Sequence, residues 1–84
     1  MPGRRWRRFS SDEILTALQR AGFEIAHTKG SHCSLVRAHA DGRKDTTVVV
    51  LGQNPVPEGT FRYILTLAHM EYEEFLVWAR VKSK

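Results

Sequence analysis

The spacing of the apolar residues changes at Gly22, from a helical period to the two-residue period of a β-strand. Ahead of it, Ser10 and Glu13 have the spacing of a capping box, in which each side chain satisfies a backbone N–H of the other residue. The apolar residues at helical spacing are Ile14, Leu15, Leu18 and Ala21. The pattern predicts a helix over about residues 11–21, which Gly22 ends in the left-handed conformation.

Three predicted strands follow the helix. Residues 23–28 alternate like a half-buried strand. In this stretch, Phe23, Ile25 and His27 alternate with Glu24, Ala26 and Thr28. Residues 32–39 form the second predicted strand, and residues 44–51, rich in threonine and valine, form the third. The turns between them are Lys29-Gly30-Ser31 and Asp41-Gly42, so the three strands should form an antiparallel meander.

Residues 52–57 contain two prolines and can continue neither period, which predicts a loop. Two apolar stripes at helical spacing follow it, with a break near residues 69–71. The stripes are Thr60, Ile64, Leu67 and Ala68, then Tyr72, Phe75, Leu76 and Ala79. We expect Phe75, Leu76 and Trp78 to pack the last helix onto the sheet. The predicted fold class is therefore α+β in the order α-β-β-β-α(-α), with a three-stranded antiparallel sheet that leaves one face open to solvent.

The formal net charge of +4 is located entirely at the N-terminus. The arginines responsible are Arg4, Arg5, Arg7 and Arg8. We therefore divide the chain into a basic N-terminal arm, residues 1–9, and a single domain, residues 10–84. The arm precedes the capped helix, so we expect it to have little to pack against. Trp6 within it is predicted either to stack on a nucleobase or to belong to a frayed terminus or partner-binding arm.

Composition excludes several classes of protein. A chain of 84 residues allows one small domain, and it has no apolar run of the ~18 residues that a membrane span needs. The single cysteine, Cys33, excludes an intramolecular disulfide and a multi-thiolate zinc site. The basic start has no apolar stretch of the signal-peptide kind, so we expect a cytoplasmic protein without membrane contact.

Among the four histidines, His32 has the most suggestive surroundings. It follows a tight turn at the start of a strand, three residues after Lys29, where an imidazole can transfer protons and an ammonium can stabilise charge on a phosphate. The alternative is a surface histidine that ends a hairpin. His27, His39 and His69 are interpreted as structural, and the spacing of the histidines and the cysteine predicts no metal site and no cofactor.

The motifs together resemble those of HicA, the toxin family of the HicAB toxin–antitoxin systems. The shared elements, in chain order, are Ala21-Gly22-Phe23, Lys29-Gly30-Ser31-His32, Asp41-Gly42-Arg43, a valine-rich strand, Gly59-Thr60, Ile64-Leu65 and Glu73-Glu74-Phe75. The resemblance covers about residues 10–78. It implies a fold similar to the double-stranded-RNA-binding domain, an mRNA interferase activity, inhibition by a HicB-type antitoxin, and His32 as the catalytic residue. Family members often carry a Pro-x-His stretch at the end of the third strand. This chain has Val49-Val50-Leu51-Gly52-Gln53 there and lacks the second imidazole, so it must do without that group or use Gln53 or Asn54.

The sequence and the resemblance predict a metal-independent endoribonuclease that cleaves mRNA with His32. The residues expected to bind RNA are Lys29, Ser31, Arg37, Arg43 and Lys44. Two other functions stay open at this point. One is a non-catalytic RNA-binding module that uses the same basic surface, and the other is a protein whose exposed valine face is covered by another chain.

Overall fold

The computed structural model describes residues 6–81 and has the predicted α+β order. The helices and strands are α1 (Ser11–Arg20), β1 (Glu24–Lys29), β2 (His32–Ala38), β3 (Lys44–Val50), α2 (Glu58–Ala68) and α3 (Tyr72–Trp78). Each helix and strand that the residue patterns predict is present, within one to three residues of its expected bounds. Within the described part of the chain, no helix is long and apolar enough to span a bilayer.

Local interactions at both ends of α1 confirm the predicted helix. The Ser10 hydroxyl accepts a hydrogen bond from the Glu13 N–H at 3.1 Å, and the Glu13 carboxylate accepts one from the Ser10 N–H at 2.8 Å. At the other end Gly22 has a φ of 106°. This lets the Phe23 N–H reach back to the Leu18 carbonyl at 3.0 Å. The reversal directs the chain straight from the helix into β1.

The sheet has the order β1-β2-β3, and both pairings are antiparallel. Its inner face is the one that the helices cover. Cys33 and Leu35 of β2 lie on it, at 1% and 0% exposure, together with their β3 partners Val49 and Thr47. Because successive strand residues alternate between faces, His32 and the other even-numbered residues of β2 lie on the opposite, outer face.

β1 differs from the half-buried strand that its alternation predicted, because all six of its residues are exposed. The helices that pack on the sheet, α1 and α2, do so over β3, whereas β1 is at the opposite edge. Ile25 is paired with the fully buried Leu35 but is itself 46% exposed. Position at the edge, rather than the residue pattern, therefore decides the burial of this strand.

The two C-terminal helices are separated where the sequence predicted, at His69, which has left-handed backbone angles of 54° and 44°. The prediction that the last helix packs onto the sheet is wrong, because α3 packs mainly against α1. Phe75 is fully buried, with its ring 4.9 Å from that of Phe61 on α2. Trp78 is only partly buried, and its indole N–H donates to Glu74 at 3.3 Å.

The described part of the N-terminal arm packs onto the domain, contrary to the expectation that it has little to pack against. Phe9 is 4% exposed, and its ring lies 5.1 Å from that of Phe75. Trp6 stacks on Tyr72 with ring centroids 4.4 Å apart, and the guanidinium of Arg62 lies 4.1 Å from the Trp6 ring. The Trp6 ring is thus occupied within the domain. The arginines at 4 and 5 lie outside the described residues.

This packing predicts that residues of the arm stabilise the fold. Phe9→Ala should lower the free energy of unfolding by about 3–4 kcal/mol, because it removes a buried ring from an aromatic cluster. Trp6→Ala should cost less, about 1–2 kcal/mol, because its ring is only partly buried. Urea unfolding followed by circular dichroism measures both. Arg8→Ala, at an exposed position, is the control, and equal stability of all three variants and the parent would contradict the prediction.

Candidate functional site

The candidate catalytic residue, His32, lies at the start of β2, directly after a two-residue turn. Lys29 and His32 are cross-strand partners, and Gly30 and Ser31 connect them. Gly30 has a φ of 59°, and glycine with positive φ at this position is typical of a type II′ hairpin turn. Cβ atoms of directly opposed strand residues lie about 4.5–5.5 Å apart, so the hairpin brings the ammonium-bearing chain of Lys29 beside the imidazole.

The turn is fixed by hydrogen bonds from β3 and α1. The Ser31 carbonyl accepts from the Leu51 N–H at 2.7 Å. The adjacent Val50 carbonyl in turn accepts from the Ser11 hydroxyl at 2.6 Å. Ser11 is the first residue of α1 and is 1% exposed, so the capped end of that helix holds the end of β3 that faces the turn. His32 is therefore an exposed side chain on a backbone that is held from two sides.

The imidazole of His32 is on the outer face and is open to solvent. Its cross-strand partners are Lys29 on β1 and Val50 on β3. Among the described residues its ring makes no hydrogen bond to another side chain, so both ring nitrogens are available to a ligand. Ser31 is also exposed, while its carbonyl is used to hold the turn.

The other residues predicted to bind RNA lie at the opposite end of the sheet. Lys44 pairs with Ala38 at the far end of β2, on the same outer face as His32. Ala38 lies six positions after His32 along β2, a span of about 20 Å. Arg43 lies in the hairpin beside Lys44 and is exposed, with its guanidinium 2.8 Å from the Asp41 carboxylate. The predicted basic residues thus form two groups rather than one patch.

Arg37 lies on the inner face, and its side chain is only 18% exposed. Its Nη2 donates to the Asp45 carboxylate at 2.9 Å, and its Nε donates to the same oxygen at 3.3 Å. The guanidinium also lies 4.7 Å from the ring centroid of Phe23. These contacts commit Arg37 to the interior, whereas the sequence analysis expected it to bind RNA.

Sequence reasoning missed Asp45, which accepts hydrogen bonds from three side chains. His39 Nε2 lies 2.7 Å from one carboxylate oxygen, and His69 Nδ1 lies 2.8 Å from the other. Since an ionised carboxylate only accepts, each of these ring nitrogens donates. The signal was present in the Asp41-Gly42 turn, because a hairpin centred there places Asp45 opposite Arg37. We call Arg37, His39, Asp45 and His69 the Asp45 cluster.

The Asp45 cluster stabilises the ionised form of the Asp45 carboxylate. The hydrogen bond from His39 lowers the pKa of Asp45 most, those from Arg37 and His69 lower it further, and burial opposes them, leaving the pKa well below its usual range. Together with Arg43 and Lys44, the cluster lines an open cleft of about 520 Å³. His39 and His69, interpreted as structural from the sequence, are both bound to this carboxylate.

Gln53 follows β3 where family members often carry a second histidine. Its N–H donates to the Ser11 hydroxyl at 3.0 Å, and its carbonyl accepts from the Ser11 N–H at 2.8 Å. The side-chain oxygen of Gln53 is buried and has no hydrogen-bond partner among the described residues. As a buried atom, this oxygen is not available to a ligand on the outer face.

The fold and the exposed Gly30-Ser31-His32 turn define a small α+β protein with a polar site on the open face of its sheet. A scan against protein families matches residues 11–70 to the HicA toxin of bacterial toxin–antitoxin systems. The match spans most of the chain, from α1 past the end of α2, and the chain therefore belongs to the HicA toxin family. Membership implies an antitoxin partner. A search of the curated proteins found no match.

The low pKa of Asp45 predicts a pH-dependent contribution to stability. Asp45→Asn should lower the free energy of unfolding by about 3 kcal/mol at neutral pH, because it leaves Arg37 without its carboxylate. Because folding lowers the pKa of Asp45, its ionised carboxylate stabilises the folded state at pH values above the unfolded-state pKa of about 4. This stabilisation is lost progressively as the pH falls below that value. The difference between parent and variant should therefore shrink as urea unfolding is repeated from neutral to acidic pH.

The exposed Asp41 offers a matched control for this measurement. Asp41→Asn removes an ion pair whose side chains are 57% and 77% exposed, so its effect should stay within about 1 kcal/mol at every pH. A pH-independent difference for Asp45→Asn would show that the lost contribution comes from packing and not from the ionised carboxylate.

Proposed function

We propose that this HicA-family toxin is a metal-independent endoribonuclease that cleaves mRNA, with His32 as its catalytic residue. The observation that carries the proposal is the position of His32, an exposed imidazole on a rigidly held turn, directly opposite Lys29 on the open face of the sheet. Exposure admits an RNA strand, and the hydrogen bonds of Ser31 and Val50 hold the turn in place as it binds.

In the proposed reaction His32 removes the proton from a ribose 2′-hydroxyl. The 2′-oxygen attacks the adjacent phosphorus in line and the bond to the 5′-oxygen breaks. The leaving 5′-oxygen takes up a proton from a neighbouring acid or from water, which gives a 2′,3′-cyclic phosphate and a 5′-hydroxyl end. Negative charge grows on the non-bridging phosphate oxygens, where the neighbouring ammonium of Lys29 stabilises it. One proton-transfer group of this kind contributes typically about 10²–10⁴-fold to the rate.

The remaining cations are proposed to bind the RNA backbone at a distance from the cleavage site. Lys44 is on the outer face with His32, so a strand that crosses the sheet diagonally can contact both, and Arg43 extends this contact into the hairpin. Ser31 is proposed to hydrogen-bond the RNA from the turn. Arg37 was expected to bind phosphate as well, and we assign it the smallest share because its guanidinium is bonded to Asp45.

A second candidate function is a non-catalytic RNA-binding module. One observation favours it: among the described residues no side chain hydrogen-bonds the His32 ring and orients it, as the partners of catalytic histidines commonly do. In this alternative, His32 and Lys29 bind RNA without cleaving it. Detection of a cyclic phosphate product separates the two functions.

The antitoxin partner that family membership implies is proposed to be a HicB-type protein. It would inhibit by covering the outer face, which carries His32 and Lys29 and is left open by the helices. Acidic residues on such a partner would compete with RNA for the same cations. The proposed place of action is the cytoplasm, where mRNA is present.

The proposal predicts that His32→Gln abolishes cleavage without affecting the fold. The side chain is exposed, so the free energy of unfolding should change by no more than about 0.5 kcal/mol. Single-turnover cleavage at saturating RNA should fall by about 10²–10⁴-fold, and expression of the variant should no longer arrest growth.

Two controls make this measurement specific. Thr46→Ala, at an exposed position on the same face of β3, should cleave RNA as the parent does. An RNA that carries a 2′-deoxyribose at the scissile position should bind to the parent but resist cleavage. Undiminished cleavage by a correctly folded His32→Gln variant would end the assignment.

A further prediction concerns the affinity for RNA. Lys29→Ala and Lys44→Ala should each weaken binding and reduce the slope of log Kd against log salt by roughly 0.7–1, because each removes one phosphate contact. Glu24→Gln, which removes a negative charge from β1, should strengthen binding instead. Fluorescence anisotropy with labelled RNA over a series of salt concentrations measures all three. Affinities that do not change with salt would contradict a phosphate-binding role.

A further inference from the structure

We propose that His27 is a second catalytic residue of this site, the general acid that protonates the leaving 5′-oxygen. The inference rests on the proposed ribonuclease function of His32 and adds the second proton-transfer group that the reaction requires. From the sequence, His27 was interpreted as structural. The register of β1 against β2 places it on the same open face as His32.

The face that His27 occupies follows from its neighbour in the chain. Thr28 pairs with Cys33, and its hydroxyl lies 3.8 Å from the Cys33 sulfur, which is 1% exposed. Thr28 is thus on the inner face, and the residues on either side of it, His27 and Lys29, are on the outer face. His27 pairs with Ser34, two residues along β2 from His32.

This register makes His27 and His32 diagonal neighbours. Such neighbours in an antiparallel pair are separated by about 7–8 Å, which is within reach of aromatic and long side chains. Each imidazole can then hydrogen-bond a different oxygen of one phosphodiester group, since each such bond spans about 2.7–3.2 Å. Lys29 lies next to both histidines on this face, opposite His32 and two residues from His27.

The environment of His27 differs from that of the histidines in the Asp45 cluster. His39 and His69 each donate to a carboxylate, whereas no hydrogen bond engages the His27 ring among residues 6–81. The titratable and charged groups that share its face are Glu24 and Lys29 on β1, His32 on β2 and, at the far end of the sheet, Lys44 on β3. β1 is the edge strand of the sheet, so RNA can approach His27 from the side as well as from above.

Cleavage uses one proton-transfer group beside the attacking 2′-oxygen and another beside the leaving 5′-oxygen. His32 takes the proton of the 2′-hydroxyl while the P–O5′ bond breaks, and the leaving 5′-oxygen receives a proton from His27. The histidines end the step with exchanged protonation states, and solvent restores them. A base must be deprotonated and an acid protonated, so the cleavage rate of the parent should rise and then fall as the pH increases.

The test compares His27→Gln, His32→Gln and the control Thr46→Ala in single-turnover cleavage at saturating substrate. One RNA has an ordinary scissile linkage, and the other has sulfur in place of the leaving 5′-oxygen. Sulfur departs as a thiolate and needs no general acid. We expect the His27→Gln variant to cleave the ordinary RNA about 100-fold or more slowly than the parent. On the thio substrate, the variant should cleave at most of the parental rate. With the ordinary RNA, its cleavage rate should no longer fall at alkaline pH.

The other possible results distinguish a failure of the His27 inference from a failure of the proposed function of His32. Parental rates from His27→Gln on both substrates would overturn the inference and leave His32 untouched. An equal loss on both substrates, or a higher KM with kcat unchanged, would make His27 an RNA contact only and would also overturn it. His32→Gln should stay slow on both substrates. If it cleaves like the parent, the proposed function fails, whatever His27 does.

Discussion

The pairing register of β2 decides which side chains of this protein can act on a ligand. Its odd-numbered residues, Cys33, Leu35 and Arg37, lie against the core, and its even-numbered ones lie on the outer face. A shift of one residue would bury the His32 imidazole and expose a leucine. The two-residue turn at one end and the Asp41-Gly42 hairpin at the other fix this register. The position of His32 is thus a consequence of backbone geometry at turns, where glycine supplies the positive φ.

The four histidines show how the same side chain takes different roles through its neighbours. His39 and His69 donate to Asp45, which ties the ends of β2 and α2 to the start of β3. Within residues 6–81, neither His27 nor His32 is bonded to a carboxylate, and both lie on the face that the helices leave open. An imidazole that is bonded to a buried anion stabilises the fold, whereas an exposed one remains available for proton transfer. The opposite ends and faces of one small sheet thereby separate stability from the proposed chemistry.

Much of the fold was predictable because its signals are local. The capping box at Ser10, the two glycine turns and the break before α3 each depend on residues close together in the sequence. The family was also predictable, since the motif Lys29-Gly30-Ser31-His32 is contiguous. The exposure of β1 was not, because alternation reports which residues share a face and says nothing about whether a helix covers that face.

Three misjudged features depend on tertiary partners that the residue pattern does not report. Phe9 and Trp6 pack against aromatic rings far away in the chain, and Arg37 turns inward to bind Asp45 across the β2–β3 hairpin. Clustered arginines around Trp6 indicated a solvated arm, yet the aromatic surface of α2 and α3 gives this ring a place to pack. The number of basic residues in a stretch of sequence therefore does not reveal which of them face solvent and which, like Arg37, pair with a buried carboxylate.

The outer face of the sheet has a firmly held backbone and side chains that do not contribute to the core. The side chains proposed to act there are exposed, so their replacement leaves no cavity, while Ser11 and Leu51 hold the backbone beneath them. A protein partner can consequently block the proposed site by covering it, without altering the packing around Leu35 and Val49. Because the face is also where RNA is proposed to bind, inhibitor and substrate would compete for the same cations. Regulation of this toxin would then depend on occupancy of one surface and not on the stability of the fold.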